Sequence, residues 1–119
     1  MSIKSKFKEM RDQYVINQVR KAAIPAFSAD RIRRYRITFS GRVQKIGFRL
    51  EVCELANRLG LTGYCENLKN GDVLTELQGA ENRIQYLISF MESLKRIKIR
   101  NKVIEELDVN PFEKGFQKR

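Results

Sequence analysis

Ser40 to Arg49 reads SGRVQKIGFR, and the stretches on either side of it decide the fold. Before it, Tyr35 to Ser40 alternates, with Tyr35, Ile37 and Phe39 on one face and Arg36, Thr38 and Ser40 on the other. That period of two is the mark of a half-buried strand. After it, Phe48, Val52, Leu55, Ala56 and Leu59 recur at helical spacing up to Gly60, a natural C-terminal cap. A strand that passes through a glycine-containing loop into a helix leaves backbone N–H groups unpaired, which is the geometry of an anion site. Arg49 adds a permanent cation with five donors beside them. The stretch is read as a cradle for a phosphoryl group.

Outward from the cradle, Thr62–Asn67 and Val73–Gln78 read as two strands joined through Asn70-Gly71, a pair that supplies the positive φ of a hairpin turn. Glu81–Lys95 carries Ile84, Leu87, Ile88, Met91 and Leu94 on one helical stripe. Lys95–Lys102 is read as a basic connection, Val103–Val109 as a fourth strand, and Phe112–Gln117 as a short fifth. The order strand, helix, strand, strand, helix, strand is the ferredoxin-like split βαβ pattern. The fold class expected is therefore an α+β sandwich (βαββαβ), an antiparallel sheet with two helices on one face, plus an N-terminal helix.

That first helix is expected over Ser2–Ala23, with Pro25 beyond it as a stop. Ile3, Phe7, Met10 and Tyr14 form one stripe, expected to pack; Val15, Val19 and Ala22 continue it on a shifted line. The chain divides into a basic helical extension and linker, residues 1–34, and a domain, residues 35–119. The helix is a candidate cover for the open face of the sheet and a candidate surface for self-association.

The 119 residues carry a formal net charge of +10. Residues 1–34 hold nine Lys or Arg against three acids, so most of the excess lies there. Such a balance favours anionic partners without choosing among them. No apolar run reaches membrane-spanning length, and the first residues lack the apolar core of a secretory signal. Two cysteines, Cys53 and Cys65, make no disulfide framework and fit reduced thiols in a cytoplasmic protein. There is no histidine, which removes the commonest general base and metal ligand. No metal site and no cofactor are expected.

Three motifs in order, SGRVQKIGFR, then GYCEN at Gly63–Asn67, then NGDVLTELQG at Asn70–Gly79, resemble the acylphosphatase family over residues 35–119. The family pattern is Gly-x-Val-Gln-Gly-Val-Gly-Phe-Arg, then Gly-Trp-Val-x-Asn, then a Gly-x-Val hairpin ending in Gln-Gly. The resemblance implies a metal-independent hydrolase that cleaves acyl phosphates to a carboxylate and phosphate. It implies that Arg49 binds the phosphoryl oxygens, that Asn67 positions the attacking water, and that Val43, Gln44, Lys45, Ile46, Gly47 and Phe48 form the cradle. Departures are visible: Lys45 replaces a loop glycine, Tyr64 a tryptophan, and Glu66 an arginine. If that loop position needs positive φ, lysine there costs on the order of 1 kcal/mol. The alternative from another class is a non-catalytic module that kept the cradle and binds RNA or a phosphorylated partner.

Overall fold

The computed structural model describes residues 2–119. Helix α1 spans Ile3–Lys21, strand β1 Ile32–Arg42, helix α2 Phe48–Leu59, strands β2 and β3 Thr62–Asn67 and Val73–Ala80, helix α3 Glu81–Ser93, strand β4 Lys98–Leu107 and strand β5 Phe116–Lys118. The sheet order is β4-β1-β3-β2-β5. Each neighbouring pair among the first four strands is antiparallel, in the expected split order. β5 adds a parallel strand beside β2, with Gly63 opposite Phe116 and Cys65 opposite Lys118. The sheet is therefore mixed rather than purely antiparallel.

The core lies between the sheet and α2 and α3. Ile37, Phe39, Cys65, Val73 and Leu77 from the strands meet Phe48, Val52, Leu55, Leu59, Ile84, Leu87 and Met91 from the helices. Gly60 takes a left-handed φ of 71° and closes α2, its N–H reaching Ala56 O and Asn57 O, as its place in the sequence predicts.

The other face of the sheet is a polar ladder. Arg34 donates to Glu76 and, at 2.7 Å, to Glu113; Arg36 donates to Glu76 at 3.0 Å; and Tyr64 Oη donates to Glu76 at 2.9 Å. Gln78 and Asn110 exchange hydrogen bonds of 2.9 and 2.7 Å. The segment between β4 and β5 thus folds back over part of this face.

α1 does not cover that face. It packs on α2, burying Val15 and Val19. Arg58 of α2 donates to Val19 O and Ala22 O, both at 2.6 Å, a cation on the electronegative C-terminal end of a helix. The stripe expected to pack is on the outside: Ile3, Phe7, Met10 and Tyr14 are 59–75% exposed. A second correction concerns β4, which starts at Lys98 and not at Val103. As an edge strand it is bonded to β1 alone, so its polar residues face water and the alternation is blurred.

Candidate active site

The cradle is built by a turn in β1. β1 parts from β3 after Phe39, and a register shift between Ser40 and Gly41, a β-bulge, bends it while Gly41 and Arg42 stay paired with Ile99 and Lys98 of β4. Gly41 has φ 127°, and a side chain there would meet Lys98 O at 2.2 Å. The loop that follows holds two left-handed residues. Gly47, with φ 83°, is the N-cap of α2. Lys45, with φ 64°, is the one non-glycine residue with positive φ among the described residues. Lysine therefore occupies a conformation that disfavours it, as the comparison with the family pattern anticipates.

What holds the loop is visible in its carbonyls. Lys45 O accepts from Arg11 Nη1 at 3.0 Å, Ile46 O from Arg96 Nε at 2.7 Å, and Gly47 O from Glu51 N at 2.9 Å. Among the described residues, no backbone N–H from Gln44 to Arg49 has a protein acceptor. Acceptors engaged and donors free is the state of an amide nest. Donors left without a protein partner are open to water or to an anion.

Val43, Lys45, Gly47, Phe48, Arg49 and Asn67 line one small pocket of about 50 Å³, together with Leu50, Lys118 and three residues of α1, Lys8, Arg11 and Asp12. Asn67 ends β2, and its side chain makes no hydrogen bond among the described residues. Arg49 is half-buried, and its Nη1 donates to Arg119 O. Arg119 in turn donates its backbone N–H to Cys65 O at 2.8 Å and stacks its guanidinium 3.8 Å from the Tyr64 ring centre. Arg119, one residue past β5, thereby ties Arg49 to the strand that carries Asn67.

Two of the expected cradle residues do not line the pocket. Gln44 turns its side chain to the β2–β3 hairpin, donating from Nε2 to Leu68 O and Asp72 O, both at 2.8 Å. It fixes the distance between the loop and the element bearing Asn67. Ile46 packs against the core.

Sequence reasoning missed the loop's supports. Glu51 is fully buried, and its Oε1 accepts from Arg96 Nη2 at 2.7 Å. Burial pushes the Glu51 carboxyl above its usual range, and Arg96 pulls against that shift. A signal was there. Glu51 lies three residues after Phe48 and four before Leu55, on the apolar stripe of α2. A carboxylate on a core face needs a partner. Arg96, in contrast, sits in what reads as a solvated basic connection. Arg11 lies in the extension, outside the domain as divided by sequence.

The fold is a small α+β domain, a split βαβ sandwich whose first strand leads through a glycine-containing loop into a helix that carries an arginine at its start. The acylphosphatase family model matches residues 35–118. An acylphosphatase of Clostridium beijerinckii is 44% identical over 63 residues, 53% of this chain and 67% of the relative. One from Geobacillus thermodenitrificans is 36% identical over 87 residues, 72% of this chain and 93% of the relative. The solved acylphosphatase of Coxiella burnetii superposes with a TM-score of 0.67 at 30% identity, over 74% of this chain and 93% of that one. The chain belongs to the acylphosphatase family. No helix of the described residues is long and apolar enough to cross a membrane.

Proposed function

We infer that this acylphosphatase hydrolyses small-molecule acyl phosphates with Arg49 and Asn67 as its catalytic pair and the loop from Val43 to Phe48 as its phosphoryl cradle. One observation carries the reading. The loop's carbonyls are held by Arg11, Arg96 and Glu51 while its N–H groups are free, beside a pocket that Arg49 and Asn67 share.

The chemistry suits so sparse a site. Phosphoryl transfer is governed by positioning and by stabilising charge on the equatorial oxygens. Free amides and a guanidinium supply that stabilisation without titrating near neutral pH. The Asn67 amide orients a water on the face of phosphorus opposite the anhydride oxygen. The water oxygen–phosphorus bond forms as the anhydride P–O bond breaks, and the carboxylate leaves with the bonding pair. The water's proton ends on the phosphate product or in solvent. A carboxylate with a pKa of roughly 4 to 5 leaves without a general acid.

Turnover of benzoyl phosphate tests the reading, with Arg49→Ala and Asn67→Ala as the informative variants. Background hydrolysis by the unaltered protein would reject it in favour of the non-catalytic anion-binding module. A cytoplasmic setting fits two free cysteines. Self-association through α1 is supported by the exposed Ile3, Phe7, Met10 and Tyr14; light scattering reads it directly. RNA binding rests on the basic extension alone and is the lesser of the partner readings; a salt titration tests it.

A further inference from the structure

We propose that α1 is part of the active site and that Lys8 selects acyl phosphates whose acyl group carries a second anionic group. The proposal rests on the reading of the cradle as the phosphoryl site. α1 lies outside residues 35–118, which the family model matches.

The placement follows from the helix repeat. Lys8, Arg11, Val15 and Val19 recur at spacings of three and four and share one face. Val15 and Val19 are buried and anchor that face on the domain. The approach is close: a side chain at Gly47 would meet Val15 Cγ2 at 3.1 Å and Arg11 Nε at 3.5 Å. With the helix fixed there, Arg11 reaches Lys45 O, and Lys8 extends one turn further along the pocket it lines with Arg49 and Asn67.

Charge balance then asks for a second anion. Lys8, Arg11, Lys45, Arg49 and Lys118 line the pocket against one carboxylate, Asp12. Arg11 and Asp12 satisfy each other, with Nη2 3.0 Å and Nε 3.2 Å from Oδ1. Four cations remain. A phosphoryl group brings at most about two negative charges. Lys8 is exposed and joins no ion pair among the described residues. It lines the same pocket as Asn67, and in-line attack puts the acyl part on the side of phosphorus away from the water that Asn67 orients. A carboxylate or phosphate on that acyl part would meet it.

The test compares para-carboxybenzoyl phosphate with para-carbamoylbenzoyl phosphate, two substrates of one shape that differ in one charge. At low ionic strength the protein should favour the carboxylate by about 3- to 5-fold in kcat/KM, the scale of one partly exposed ion pair. High salt should shrink that ratio. Lys8→Gln should bring it close to one, whereas Lys4→Gln, on the same helix but outside the pocket, should leave it in place. A merely structural role for Lys8 would lower both substrates together and keep the ratio. Equal kcat/KM for the two substrates, or a preference that survives Lys8→Gln, overturns this proposal while leaving the cradle reading intact. Turnover of neither substrate overturns the cradle reading and this proposal with it.

Discussion

Arg96 Nε donates to the carbonyl oxygen of Ile46 at 2.7 Å, across 50 positions of sequence. The same guanidinium holds Glu51, which is fully buried, so one side chain fixes the loop and neutralises a charge in the core. Arg96→Met should lower stability by about 2–3 kcal/mol, at or just below the bottom of the range of about 3–5 kcal/mol for stranding a buried partner, since Arg96 itself is partly exposed. Urea unfolding gives the number. Glu51→Gln with Arg96→Met should restore part of it, because no bare carboxylate then remains in the core. A double variant as unstable as the sum of the two single ones would contradict this role.

Lys45 at φ 64° carries a conformational cost of about 1–2 kcal/mol relative to its ordinary backbone states. Glycine removes that cost but loses about 0.5–1 kcal/mol of chain entropy. Lys45→Gly should therefore raise stability by about 0.5–1 kcal/mol. Thermal unfolding reads it as a modest rise in Tm, and a fall in Tm would mean that the lysine side chain contributes more than its backbone costs.

The fold was legible where apolar spacing and turn chemistry agree. Phe48 to Leu59 with Gly60, the hairpin at Asn70-Gly71, and the stripe from Ile84 to Met91 each became the expected element. β1 begins at Ile32, inside what reads as a linker, because its first residues pair with Ala80 and Gly79 through the backbone. Backbone pairing leaves no side-chain pattern. The charged start of β4 was hidden in the same way. For α1, period alone does not say which of two apolar stripes meets the domain; Arg58 and Gly47 decide it from elsewhere in the chain. The motifs point to Arg49 and Asn67, and the fold brings both to one pocket. Arg11, Glu51 and Arg96 act through contacts that only the folded chain creates.

Glu76 should shape the acid limb of stability. Burial pushes its carboxyl up, but hydrogen bonds from Arg34, Tyr64 and Arg36 together outweigh that, and it is held below the ordinary carboxylate value. Its contribution is complete above the unfolded carboxylate pKa of about 4 and is lost as pH falls through the lower folded value. Glu51 works in the opposite sense. Its raised value makes stability fall as pH rises from the unfolded carboxylate pKa through the folded one. Urea unfolding between neutral pH and pH of about 3 should show a steeper acid loss for the unaltered protein than for Glu76→Gln. Parallel profiles would remove Glu76 from the account.

Burial pushes the Cys65 thiol up to about 12, and Cys53 is raised by burial as well. Reactivity belongs to the thiolate. Iodoacetamide at neutral pH should leave Cys65 unmodified in the folded protein and alkylate both cysteines in denaturant, as peptide mass spectrometry would show. Rapid labelling of Cys65 without denaturant would mean that β2 opens locally.

Arg49→Ala and Asn67→Ala should each lower kcat on benzoyl phosphate by about 10²-fold or more, the loss typical of one preorganised donor in a transition state. Both should unfold at denaturant concentrations near that of the unaltered protein, since neither side chain is in the core. Full activity in either variant would take that residue out of the catalytic pair.

The most direct measurement is a crystal structure with inorganic phosphate bound. The anion should lie between the Arg49 guanidinium and the backbone N–H groups of Lys45 to Arg49, within about 3 Å of several of them, with Asn67 facing its open side. A phosphate found elsewhere, with those N–H groups turned away from Arg49, would contradict the cradle on which the reaction depends.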